Sequence, residues 1–150
     1  MKEIKAPNKI SDAGHTIFLA GSIEMNTAEN WQDKVVRLLK DEEDVIIFNP
    51  RRDDWDSNWV QSIENSQFRE QVEWELRAME HADKILMYFD PETKSPITLL
   101  ELGLFANSRK LMVVCPEGFW RKGNVDIVCL RYEIEQVKTI EEAVKNLNEK

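Results

Sequence analysis

The sequence predicts a three-layer α/β fold, a parallel sheet of about five strands flanked by helices. Two observations predict it. The apolar runs "TIFLAGSIE", "DVIIFNP", "KILMYFDP" and "KLMVVCP" are continuous rather than alternating, as in strands buried on both faces. Segments with helical spacing separate them, so the chain reads β-α-β-α-β-α-β before its last elements. The flavodoxin-like (Rossmann-like) strand order 2-1-3-4-5 is the natural expectation, and it places a ligand beyond the carboxyl ends of the strands.

The elements follow in order. The first strand ends at Gly21, and "MNTAEN" leads into a helical stripe of Trp31, Val35, Leu38 and Leu39, with Thr27 as a candidate cap. Pro50 stops the second strand, and a polar loop precedes a helix carrying Phe68, Val72, Leu76 and Met79 at helical spacing. After the third strand, Ser95 suits an N-cap and Pro96 the first helical position, so Glu101 falls in the second turn. Beyond the fourth strand and "EGFWRKGNVD" come a short helix, a weak strand over 134–137, and a helix with Ile140, Ala143, Val144 and Leu147 on one face. A single domain spans 1–150, with 1–14 as an irregular extension.

A net charge of -8 and a pI near 4.9 oppose binding to a nucleic-acid polymer, which rests on Lys and Arg neutralising phosphates. A small ligand is favoured. The chain has no apolar run long enough for a bilayer and no apolar signal core near its start, so a cytoplasmic protein without membrane contact is expected. Cys115 and Cys129 lack disulfide or metal-site spacing and read as reduced thiols. "DDWDSNWVQSIEN" fails as a calcium loop because Trp59 stands where glycine is required. No GxGxxG or GK[ST] motif points to a dinucleotide or P-loop site.

The strand-end loops "GSIEMN", "NPRRDDW", "DPETKSP" and "CPEGFWRKGN" concentrate the chain's unusual chemistry. In the first, Gly21, Ser22, Ile23 and Glu24 offer backbone N–H groups and a hydroxyl to a sugar or phosphate, or simply make a tight turn. In the second, Asn49 and Arg51 are within reach of a ligand and Trp55 can stack on a flat base; the alternative is a solvated loop. Glu101 stands in an otherwise apolar helical run, where a carboxylate is either paired with an arginine such as Arg51 or Arg52, left at the helix margin, or tuned for chemistry.

"FLAGSIE", "NPRRDDW", "ADKILMYFD" and "SPITLLELGLFA", in this order and spacing, resemble the nucleoside 2-deoxyribosyltransferase-like family, over about Thr16 to Asn124. The resemblance implies cleavage or transfer of the N-glycosidic bond of a nucleoside or nucleotide through a glutamate nucleophile, which matches Glu101, without a metal or redox cofactor. A carboxylate attacking C1′ and stabilising an oxocarbenium-like transition state is sound chemistry for this bond. Asp83 matches the family's second aspartate, but its position before the third strand puts it at the opposite sheet edge, where a strand-start role is equally natural. Asp90 is better placed by fold logic.

The resemblance has departures. Free-nucleoside transferases carry an aspartate where this chain has Ser95, and nucleotide-cleaving relatives often carry an arginine where it has Glu24. The second difference speaks against a 5′-phosphate. Asn124 resembles the asparagine that members lend across a subunit contact, which implies a homo-oligomer. Transferase and hydrolase both remain open, as does a nucleotide-sensing module of the same fold that has lost turnover.

Overall fold

The computed structural model describes residues 1–11, 13–22, 30–52 and 58–149. Its elements are β1 (Lys2–Lys5), β2 (His15–Gly21), α1 (Trp31–Leu38), β3 (Val45–Asn49), α2 (Ser66–His81), β4 (Lys84–Tyr88), α3 (Pro96–Phe105), β5 (Leu111–Val114), α4 (Lys122–Arg131), β6 (Glu135–Val137) and α5 (Ile140–Asn148). Among the described residues the sheet has six strands in the order β1-β3-β2-β4-β5-β6, every pairing parallel. With β1 set aside, this is the flavodoxin-like order 2-1-3-4-5.

Two apolar layers sandwich the sheet. On one face α1 and α5 bury Trp31, Val35, Leu39, Ile140, Ala143, Val144 and Leu147 against Ile17, Leu19, Ile47 and Leu86. On the other, α2, α3 and α4 bury Trp74, Ala78, Leu102, Val125 and Cys129 against Phe18, Phe48, Ile85 and Met87. Neighbouring strand residues point to opposite faces, so runs such as Ile17-Phe18-Leu19 must be apolar throughout.

The segment 1–14, expected to be irregular, carries the edge strand β1. Two buried side chains, Ile4 and Ala6, are too few to register as an apolar run, and the lysines and glutamate between them suit an exposed edge. The Trp74 indole donates to the Asn8 carbonyl at 2.7 Å and holds the segment after the strand to α2. Thr27 lies outside the described residues; Asn30 caps α1 instead, its side chain accepting from the Asp33 N–H. Leu38 is exposed, and Gln32 takes its expected place among the buried residues of α1. On α2 the most buried positions are Gln71, Trp74, Ala78 and Met79, with Phe68, Val72 and Leu76 only partly covered. The helix expected after residue 126 begins at Lys122, where a Lys122–Asp126 pair at 3.1 Å spans its first turn.

The helix α3 is turned inside out. Thr98, Glu101 and Leu102 are its buried residues, whereas Ile97, Leu100 and Leu104 are 57–59% exposed. Glu101 is therefore the inward residue of this apolar run, and Ile97 and Leu104, three to four places away, point away from the sheet.

Candidate active site

At the carboxyl end of β2, Gly21 leaves no room for a side chain. An added Cβ would stand 2.5 Å from Trp31 Cζ2 and 2.6 Å from the Tyr88 carbonyl oxygen. This close approach carries Ser22 into contact with the loop that follows β4. Its hydroxyl bonds Thr93 Oγ1 at 2.8 Å and Ser95 Oγ, and it accepts the Asp90 N–H at 3.3 Å. Thr93 Oγ1 also lies 2.7 Å from Ser95 Oγ and donates to the Asp90 carbonyl at 2.9 Å. Asp90 Oδ1 accepts the Glu92 N–H at 2.9 Å, which folds the loop back on itself. Ser22, Asp90, Thr93 and Ser95 are all buried.

Ser95 occupies the N-cap position of α3 but does not cap it. Its φ of 47° is left-handed, a costly conformation for serine, and its hydroxyl is turned into this cluster. The opening N–H groups of α3 thus receive no side-chain bond from their cap residue.

Glu101 lies one to two turns further on and is 7% exposed. Burial and, second, the charge of Glu75 push its carboxyl up to about 8. Glu75, on α2, is itself pushed up to about 7 by burial, against the opposing effect of a hydrogen bond from Gln71 Nε2 at 3.2 Å. Both helices pack over β2. Among the described residues, Glu75 is the carboxylate whose charge acts on Glu101; neither Asp83 nor Asp90 does so. Such a pair can hold one acid and one base side by side near neutral pH.

Gln71, which bonds Glu75, is joined through the turn after β3 to Arg51 and Gln32. Gln71 Nε2 donates to the Pro50 carbonyl at 2.8 Å, and Arg51 Nη2 donates to Gln32 Oε1 at 3.3 Å. Desolvation lowers the Arg51 pKa. The Asn49 side chain is already committed, donating to Glu3 Oε2 at 2.8 Å and accepting the Arg51 N–H at 3.0 Å, so it joins β1 to the turn. Arg52 stacks over Trp59 and bonds Glu70 at 3.1 Å.

The structure therefore brings together Gly21, Ser22, Asp90 and Ser95 at one strand-end cluster. Arg51 stands at the end of β3, and Glu101 follows on α3. Asp83 is elsewhere: at the start of β4 it accepts the Thr16 N–H at 2.9 Å and the Thr16 hydroxyl at 3.0 Å, with His15 Nδ1 3.7 Å away. Those Thr16 bonds hold its pKa down. Asn124 is exposed in the first turn of α4. Ile23, Glu24 and Trp55 lie outside the described residues. Cys115 is buried and its thiol is pushed up to about 11, far from the low pKa of a nucleophile. Sequence reading missed Gln32, Gln71 and Glu75; the signal was polar residues recurring on apolar helix faces, with Gln71, Glu75 and Ala78 in one row of α2.

Residues 14–119, 106 of the 150 in the chain, match the family model described as nucleoside 2-deoxyribosyltransferase like. The match runs from just before β2 to Phe119 and takes in the hydroxyl cluster and both glutamates. No curated protein matches the chain.

Proposed function

Because the chain belongs to the nucleoside 2-deoxyribosyltransferase-like family, we propose that it breaks the N-glycosidic bond of a nucleoside or nucleotide, with Glu101 as nucleophile and Glu75 as proton donor. The observation that carries this reading is the buried Glu101 acted on by the half-buried Glu75, with both carboxyls raised toward neutrality.

Glu101 is raised further than Glu75, so the reactive form is the one in which the pair's single proton has passed to Glu75. The ionised Glu101 then attacks C1′ as the bond to the base breaks, and the bond's electron pair passes to the base nitrogen, which takes the proton of Glu75. This leaves a glycosyl ester on Glu101 and a carboxylate on Glu75. In the second half, water or another base attacks C1′, gives its proton to Glu75 and releases Glu101. The hydroxyl cluster of Ser22, Thr93 and Ser95 and the uncapped start of α3 serve the sugar side. Asp90 shapes that loop rather than moving a proton. The exposed apolar side chains of α3 support the further reading that the protein self-associates through this face.

The test is intact-mass analysis after incubation with nucleosides and 5′-monophosphates, together with assay of released base. A sugar-sized adduct on the wild type, absent in Glu101→Ala, is expected. Saturable binding with no adduct and no released base assigns the chain to nucleotide sensing instead.

A further inference from the structure

Three polar atoms around the turn after β3 are buried and lack a hydrogen-bond partner among the described residues: Gln32 Nε2, Arg51 Nε and Gln71 Oε1. Gln32 and Gln71 are 0% and 5% exposed, so water does not satisfy them from outside. Native structures rarely leave such groups unpaired, and three adjoining ones in a region with an arginine point to a missing ligand.

Their orientation is fixed by the protein itself. Gln32 Oε1 accepts from Arg51 Nη2, which can only donate, so Nε2 must be the free end of that amide. Gln71 Nε2 donates to the Pro50 carbonyl, which can only accept, so Oε1 must be the free end there. The unpaired set is therefore two donors and one acceptor. Among the described residues no carboxylate acts on the Arg51 guanidinium, whose pKa is lowered by desolvation.

Resting on the glycosidic reading above, we propose that Gln32, Arg51 and Gln71 form a subsite for a pyrimidine base. The complement of two donors and one acceptor is an edge with two acceptors and one donor. Cytosine presents O2 and N3 with its amino group; uracil and thymine present O2 and O4 with N3–H. The pairing edge of guanine offers one acceptor and two donors, and that of adenine one of each. Pyrimidines thus satisfy the whole set from one edge, whereas a purine does so only by bringing N7 of its second ring to the same three groups, so a set that closes on a single edge discriminates between them. Arg51 additionally faces an oxygen on which negative charge grows as the base departs, so it favours the transition state as well as binding.

The experiment is calorimetric titration of the full chain with cytosine, uracil, thymine, adenine and hypoxanthine, repeated on Gln32→Glu and Arg51→Met, with base release and thermal midpoint measured on the same preparations. Gln32→Glu keeps the acceptor for Arg51 while removing the free donor and pairing the cation. Expected are pyrimidines bound at least about tenfold tighter than purines, a loss of at least about tenfold for pyrimidines alone in both variants, and a midpoint in Gln32→Glu no lower than wild type. Purines bound as tightly, equal losses for all bases, pyrimidine binding indifferent to both substitutions, or no base bound would each overturn the subsite. Selective pyrimidine binding without base release from any nucleoside would leave the subsite standing and remove the glycosidic reading; release without pyrimidine preference would do the reverse.

Discussion

The carboxylate of Glu75 on α2 raises the pKa of Glu101 on α3, adding its charge to the larger effect of burial. Two helices separated by a strand in the chain thereby share one titrating unit.

The pair has a pH signature in stability. Both folded pKa values, about 7 and about 8, stand above the 4.5 of an ordinary glutamate, so the folded state holds more protons than the unfolded one between about pH 4.5 and 8. Stability contributed by the protonated carboxyls is full at the acid end of that window and is lost as pH rises through it. Glu101→Gln removes the penalty, so its unfolding free energy at pH 9 exceeds that of the wild type by on the order of 2 kcal/mol or more, with little difference at pH 4. Denaturant titrations at the two pH values measure this. Equal differences at both would remove the buried-pair account.

On the proposed mechanism the same pair sets the pH dependence of turnover. Its singly protonated form is most populated between about pH 7 and about pH 8, so base release is expected to follow a narrow bell with its maximum in that interval. Glu75→Gln lowers release from ordinary nucleosides by roughly 10²–10⁴-fold and flattens one limb of the bell. Substrates whose leaving group needs no proton recover most of the rate. A variant that loses both substrate classes alike would show that Glu75 is not the acid.

Asp83 serves the scaffold. Its carboxylate ties the start of β4 to Thr16 on β2, and its depressed pKa means that this contribution is present above the unfolded pKa and lost as pH falls through the folded one. The side chain is 55% exposed, so after solvent screening Asp83→Ala costs about 1 kcal/mol of stability near neutral pH. Turnover stays within about twofold of wild type per folded molecule. A loss of kcat with unchanged stability would return Asp83 to the chemistry.

Gly21→Ala tests the close approach at the end of β2. A methyl group there collides with the Tyr88 carbonyl and the Trp31 ring, and the backbone carbonyl has no rotamer to escape into. Destabilisation of about 1–3 kcal/mol is expected, seen as a lower thermal midpoint, together with displacement of Ser22 and loss of activity.

The exposed face of α3 tests assembly. Leu100→Asp and Leu104→Asp place charge on an apolar surface that solvent does not favour. Light scattering after size exclusion is expected to show a smaller species than the wild type, with no fall in thermal midpoint beyond the loss of the contact.

Much of this architecture was legible in the sequence because a doubly covered parallel strand leaves a continuous apolar run. The strands ending at Gly21, Asn49, Tyr88 and Val114 all announced themselves in that way. The edge strand β1 did not, since it buries only Ile4 and is otherwise charged. Glu101 stood out as a carboxylate in an apolar helix, and the loop residues Gly21, Ser22, Asp90 and Ser95 followed from the strand-end rule. Glu75, Gln32 and Gln71 were hidden because they lie in helices whose polar residues are numerous, so only the three-dimensional row tells a buried glutamate from a solvated one. The direction of α3 was misread for the converse reason: its outward leucines look like core until the sheet is seen to lie on its Glu101 side.

The sheet order has one more consequence, for how activity arises in time. The central strand β2 is flanked by β3 and β4, so the Ser22–Ser95 contact spans 73 residues and β4 must insert beside β2 before the loop after it can close. Gln32 lies on α1, Arg51 just after β3, Glu75 on α2 and Glu101 on α3, and none meets its partners until non-local pairing has occurred. A nascent or truncated chain ending before α3 therefore holds four of the six strands yet lacks Glu101, so Glu75 stands without its partner until that one helix has docked.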